Sequence, residues 1–320
     1  MTLRVVELFS GIGAQRMALV LEGIPHEVVG VAEIDRFALA SYEAIYGDCP
    51  NLGDVTKIPA LPDCDLVTYS FPCQSLSAAG RREGMARGSG TKSSLLWEVG
   101  RILEATERRP EWLLMENVPA LLSQRNRPEF SEWMALLESL GYRSKTAKLN
   151  ARDFGVPQNR LRVFVLSRLG ADPPDLPKGD GVAHRLSEVL EEDPDPKYML
   201  SERRMEGVMR STEKERARGN GFAFRPVPRD GVAHAVTTHV DRKTNTYVKE
   251  GVGYRKLTPR ECWRLQGFPD WAYDRAKAVP TSDAQLYKQA GNSIATCVLR
   301  AIFREMSSPS TGQSTLGRFS

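Results

Sequence analysis

Leu3-Arg4-Val5-Val6-Glu7-Leu8-Phe9-Ser10-Gly11-Ile12-Gly13-Ala14 opens the chain with an apolar run, a glycine-spaced loop and the first residue of a helical pattern. Leu3–Phe9 reads as a strand and Ala14–Glu22 as a helix stopped by Gly23. Glycines in the connecting loop let backbone approach a ligand, and the helix amino terminus turns its free N–H groups toward it. A second strand, Glu27–Ala32, is followed by Glu33, 20 residues beyond Gly13. An acid there is placed to hold ribose hydroxyls. Arg16 stands where a dinucleotide fingerprint has its third glycine, which argues against nicotinamide and for another nucleoside cofactor. A tight turn without a ligand is the alternative.

Outward from this unit, short apolar runs alternate with helical patterns. A helix is expected over Arg36–Tyr46, with Gly47 as its stop, and strands at Leu66–Tyr69 and Trp112–Met115. Further helices are expected near Leu95–Ala105 and over Pro128–Leu140, and strands over Tyr142–Leu149 and Arg162–Ser167. The alternation predicts an α/β fold: a doubly wound, mostly parallel sheet with helices on both faces. The texture changes after Arg168. Residues 171–181 hold three prolines and two glycines, a linker by composition. Beyond them periodicity is weak, with β-like pieces at Ala235–Val240 and Thr246–Val248. Helical patterning returns at Thr258–Gln266, where Thr258 is the N-cap and Pro259 the first helical residue, and again near Ala295–Arg304. We therefore expect a catalytic and cofactor-binding domain over 1–168, completed by 284–306. A smaller irregular domain with a hinge would occupy 169–283, and 307–320 would be a disordered tail.

The 320 residues suffice for a sizeable core, and 41% hydrophobic with 26% charged residues is ordinary for a globular chain. The net charge of +4 is unevenly placed: Ser201–Arg260 carries 14 Lys/Arg against 7 Asp/Glu. That local excess suits an anionic partner, with a solvated basic face as the alternative. Five cysteines, none closely paired, exclude a zinc knuckle or redox dithiol and fit a reducing compartment. No signal-peptide pattern or membrane-length apolar run is present, so a cytosolic protein without metal is expected.

Chemistry concentrates at predicted strand ends. Cys73, in Tyr69-Ser70-Phe71-Pro72-Cys73-Gln74, follows the strand Leu66–Tyr69, at the edge where open α/β sheets build their sites. Pro72 stiffens the loop, and a thiol held there can serve as a nucleophile once deprotonated. A buried, inert cysteine is the plainer alternative. Glu116, ending the apolar Leu113-Leu114-Met115, would be partly desolvated and so able to share a proton near neutrality, or would cap a neighbouring helix. In Gln158-Asn159-Arg160-Leu161-Arg162, strand alternation puts both arginines on one face. They could hold a phosphate or carbonyl oxygen there, or form an exposed basic face. Asp54 is either an adenine contact or a turn aspartate. The glycine- and arginine-rich stretch Gly80–Lys92 is expected to be a lid over an anionic polymer.

These residues, in this order, resemble the DNA cytosine-5 methyltransferases across most of the chain. Phe9-Ser10-Gly11-Ile12-Gly13 is similar to the cofactor loop, Pro72-Cys73-Gln74 to the nucleophile motif, Glu116-Asn117-Val118 to the acidic motif, and Gln158–Arg162 to the twin-arginine motif. Arg255–Pro269 resembles the element supporting the target-recognition domain, and Gln289-Ala290-Gly291-Asn292-Ser293 the final motif that folds back onto the cofactor site. The resemblance implies a Rossmann-like, S-adenosylmethionine-dependent fold acting on duplex DNA, and a monomer. It implies catalytic roles for Cys73, Glu116, Arg160 and Arg162. Cofactor contacts would come from Phe9, Ser10, Gly11, Ile12, Gly13, Glu33, Ile34, Asp54, Val55, Pro72, Leu95, Asn292 and Ser293. Ser70 stands where the family often has glycine, and Ile34 where a larger aromatic residue is frequent. The first half is most similar to a bacterial subgroup that includes CpG-specific enzymes.

Overall fold

The computed structural model describes residues 2–76, 84–217, 219, 224, 226–238 and 246–308. Its centre is a six-stranded sheet. The strands are β1 (Leu3–Leu8), β2 (His26–Ala32), β3 (Leu66–Tyr69), β4 (Trp112–Asn117), β5 (Tyr142–Asn150) and, after the short β6 (Gln158–Asn159), β7 (Leu161–Leu169). Their order across the sheet is β2-β1-β3-β4-β7-β5. The first four are mutually parallel, whereas β7 is antiparallel to both β4 and β5. Five strands therefore share one direction and β7 alone reverses. That reversal brings the start of β7, rather than its end, to the edge where β1, β3 and β4 finish.

Alternating side chains send the sheet's two faces into two cores. Val5 and Leu114 pack with α1 (Ala14–Leu21) and α2 (Arg36–Tyr46), while Val6, Leu113 and Met115 pack with α3 (Leu96–Ala105) and α4 (Arg127–Ser139). The linker 171–181 has no regular structure, as its composition predicts. After it come α5 (Glu202–Ala217), β8 (Ala233–His234) and the hairpin β9 (Tyr247–Glu250) with β10 (Gly253–Lys256). Four helices follow: α6 (Pro259–Leu265), α7 (Asp270–Ala278), α8 (Asp283–Asn292) and α9 (Thr296–Ser307). Leu186, Val227, Trp263 and Leu299 belong to the same apolar core as Val5 and Met17, so the later segment shares a core with the sheet.

Several expectations need correction. Phe9 is not strand but left-handed backbone at φ 58°. The strand expected at Ala235–Val240 is shifted to Ala233–His234, with 239–245 outside the described residues. Helices α5 and α7 were not expected, and both lack the apolar stripe that would have announced them. Residues 80–83 of the expected lid and 309–320 of the expected tail lie outside the described residues, and Ser307 ends α9. The described remainder of the lid is anchored: Trp97 Nε1 donates to the Met85 carbonyl at 2.8 Å, and Met85 is fully buried.

Beneath the first loop, Glu7 is wholly buried, accepting from Tyr42 Oη at 2.6 Å and from the Arg16 backbone N–H at 3.0 Å. Burial raises its carboxyl from 4.5 to about 7, against the lowering effect of these donors and the Arg16 charge. A folded-state pKa above the unfolded one gives stability that is complete below about pH 4.5 and lost as pH rises through about 7. The loss is on the order of 3 kcal/mol. Urea titrations should show a Glu7→Gln variant losing less stability than the parent across this window; identical slopes would refute the assignment.

Candidate active site

Glycine geometry shapes the first loop. Gly11 and Gly13 are both left-handed, at φ 55° and 72°. At Gly13 even a Cβ would lie 2.6 Å from the Tyr42 ring and 2.7 Å from Tyr46, whose hydroxyl donates to the Gly13 carbonyl at 2.7 Å. The Gly11 N–H donates to Glu33 Oε2 at 2.9 Å, and Glu33 Oε1 accepts from the N–H groups of Ile34 and Asp35 at 2.8 and 2.7 Å. Glu33 thus fixes the loop opposite it while its remaining lone pairs face outward.

A cleft opens over this loop. Of the thirteen expected cofactor contacts, all but Gly13 line it: Phe9, Ser10, Gly11, Ile12, Glu33, Ile34, Asp54, Val55, Pro72, Leu95, Asn292 and Ser293. Gly13 lies behind the loop against the two tyrosines. Ile34 is 78% exposed at the cleft, and the buried Ser10 hydroxyl finds no partner among the described residues. Asp54 caps a short 3-10 turn by accepting from Thr56 N–H at 3.0 Å, which holds its carboxyl below the usual range. An apolar platform, an orphaned hydroxyl and an acid beside open glycine backbone fit a nucleoside carrying a polar tail.

Sequence reasoning missed Gln15, Asp35 and Lys288, which also line the cleft, as does Gln289 of the final motif. Lys288 Nζ pairs with Asp35 at 2.6 Å, and Gln289 Nε2 donates to the Phe37 carbonyl and Ser41 Oγ, both at 2.9 Å. The final motif is thereby pinned onto α2. Reading α8 as a helix would have exposed the signal, since Lys288 and Asn292 are one turn apart.

The Cys73 loop adjoins this cleft through Pro72 and Gln74. Both carbonyls preceding Cys73 are held: Asn117 Nδ2 donates to the Phe71 carbonyl at 3.0 Å and Ser93 Oγ to that of Pro72 at 2.6 Å. Leu76 N–H closes a turn onto the Cys73 carbonyl at 3.0 Å. The thiol itself is partly buried. Burial first, and then the Glu116 charge, push its pKa up, and Arg162 and Arg160 offset this only in part. The arginines alone therefore do not produce the thiolate.

Glu116 and Arg162 meet because β4 and β7 are antiparallel. Glu116 faces Phe164, so Arg162, two residues away, is its diagonal neighbour on one face. Arg162 Nε lies 3.1 Å from Glu116 Oε1 in a mostly buried ion pair. Arg160 goes elsewhere. Its Nη1 donates to the Val236 carbonyl at 2.9 Å, and its Nη2 to those of Gly291 and Ser293 at 3.1 and 2.6 Å. Only its Nε is without a partner among the described residues. Burial and the Arg162 charge pull this guanidinium down to about 9, so it remains a cation at neutral pH. Gln158 grips the same peptide, accepting from Val236 N–H at 2.8 Å.

A Rossmann-like sheet with a nucleoside cleft beside a held cysteine defines a class of group-transfer fold, and comparison with known proteins makes it specific. Residues 3–308 match the C-5 cytosine-specific DNA methylases, and the chain belongs to that family. It is 33% identical to the type II methyltransferase M2.ScrFI of Lactococcus lactis subsp. cremoris, over 95% of this chain and 99% of the relative. It is 34% identical to type II methyltransferase M.NlaX of Neisseria lactamica, over 95% and 96%. The S. pombe Dnmt2 methyltransferase structure superposes with a TM-score of 0.74 at 23% identity, covering 95% of this chain and 97% of that one. No helix among the described residues is long and apolar enough to cross a membrane, and no described acid, His or Cys cluster could hold a metal ion.

Replacing Arg160 by Met would leave three buried carbonyls unpaired, costing roughly 3 kcal/mol. Urea unfolding should report that loss. Arg160→Lys should recover only part of it, because an ammonium lacks the planar fork. Parent-like stability in both variants would refute the tie.

Proposed function

We propose that this protein transfers a methyl group to C5 of a flipped-out cytosine in duplex DNA, through a covalent bond between Cys73 and cytosine C6. The reading rests on one observation above all. A loop cysteine, held by both preceding carbonyls, shares its edge of the sheet with the Glu116–Arg162 pair and adjoins the nucleoside cleft. S-adenosylmethionine, when bound in that cleft, supplies the electrophilic methyl. Phe9, Ile34 and Val55 would flank its adenine, Glu33 its ribose, and Asp54 its amino group. Ser10, Gly11, Ile12, Pro72, Leu95, Asn292 and Ser293 would line the remainder.

Cytosine C5 is a weak nucleophile until an electron pair is pushed into the ring. Attack of the Cys73 thiolate at C6 forms a C–S bond and moves the ring electrons toward C5 and N3. Glu116 meets the N3 edge and shares a proton there as charge builds, and Arg162 holds the O2 side. A proton taken up from solvent as the base docks, and held between Glu116 and N3, removes the Glu116 charge that opposes the thiolate, while Arg162 and Arg160 remain cationic. It passes to N3 as the C–S bond forms, and the thiol proton leaves to solvent. Base engagement and thiol ionisation then reinforce each other. After C5 is methylated, loss of its proton and expulsion of the thiolate restore the aromatic ring.

A base within a stacked duplex cannot reach a partly buried thiol, which is why flipping is part of the reading. The segment 169–283, with the positive excess of Ser201–Arg260, would carry target recognition and phosphate contacts. Arg160 in this scheme is a positioning residue: it ties Val236, within that segment, to Gly291 and Ser293 beside the cleft. The type II relatives favour a place in restriction–modification.

Labelled S-adenosylmethionine with duplex DNA should yield 5-methylcytosine, and Cys73→Ala should abolish transfer. Because the resting thiol is pushed up, kcat/KM for DNA should climb as pH rises into the alkaline range. Oligonucleotides carrying 5-fluorocytosine should become trapped on Cys73. Transfer undiminished in Cys73→Ala would overturn the mechanism.

A further inference from the structure

We propose that Ser70 is a positioning residue that fixes the carboxyl of Glu116 and directs its proton to one oxygen, linking that group to the wall of the cofactor cleft. The inference rests on the role given to Glu116 above. Ser70 directly follows β3, and the parallel register Tyr69↔Met115 brings it alongside Glu116. Its Oγ donates to Glu116 Oε2 at 2.9 Å and lies 3.3 Å from the Glu116 carbonyl oxygen. The other carboxylate oxygen, Oε1, faces Arg162 Nε at 3.1 Å. Each oxygen thus has one donor, and the plane of the carboxyl is set before any base arrives. Ser70 also lines the cofactor cleft, so a single side chain borders both sites.

The two donors are chemically unequal. A guanidinium can only donate, so a proton on Oε1 would confront another proton. A hydroxyl can rotate from donor to acceptor, so Oε2 tolerates either protonation state. Ser70 therefore directs the Glu116 proton to Oε2. Glycine or alanine at position 70 would supply no such hydroxyl.

The test compares Ser70→Ala, Ser70→Thr and Glu116→Gln in the full-length protein, with methyl transfer and cofactor affinity measured separately. Ser70→Ala should lower kcat roughly tenfold while leaving KM for DNA little changed. Ser70→Thr, which keeps the hydroxyl, should restore kcat. Cofactor affinity should change little. Parent-like kcat in Ser70→Ala, or a loss confined to cofactor binding, would overturn the proposal while leaving the Glu116 mechanism standing. Full transfer by Glu116→Gln would overturn both.

Discussion

A single buried cation holds three distant stretches of this chain together. Arg160 precedes β7, yet its guanidinium donates to Val236 in the later segment and to Gly291 and Ser293 at the end of α8. No carboxylate accepts from it among these contacts, so carbonyl dipoles, with the nearby Glu116 charge, compensate the desolvated cation. Such hydrogen bonds to an ionised donor are worth about 1.5–3 kcal/mol each, and they vanish together if the three segments separate. Gln158 adds a second grip on Val236 and reaches the Leu265 carbonyl with its Nε2 at 2.7 Å. Gly291 completes the junction. A Cβ there would lie 2.4 Å from the backbone of Thr237 and Thr238, so only glycine allows the two chains to approach.

That junction explains why cofactor cleft and nucleophile can be built from opposite ends of the chain. Asn292 and Ser293 line the cleft because α8 is pinned both to α2, through Gln289 and Lys288, and to β7, through Arg160. The nucleophile loop is fixed independently by Asn117 and Ser93. Catalytic geometry is held by a rigid sheet edge, as preorganisation requires, while the segment proposed to meet DNA shares its root with the cleft.

Electrostatics at the edge favour a resting, protonated thiol. Burial and the Glu116 charge together outweigh two arginines, one of them spent on carbonyls. A permanently ionised thiolate would be open to oxidation, and the proposed mechanism would confine its formation to the bound complex. Ser70 takes its place in that proposal by holding the carboxyl whose charge faces the thiol.

The strand–glycine–helix opening, the ordered strand-end residues and the linker were legible in the sequence, because local periodicity and turn chemistry determine them. So were Cys73, Glu33 and the cleft-lining residues, whose spacing is a property of loops at strand ends. The sequence could not disclose that β7 runs backward, since strand direction depends on which neighbours it pairs with. Nor could it separate Arg160 from Arg162: two arginines on one strand face look alike until one meets a carboxylate and the other three carbonyls. Helices α5 and α7 stayed hidden because neither has a wide apolar stripe. Residue chemistry along the chain determined the kind of reaction, and long-range burial decided which groups are free to perform it.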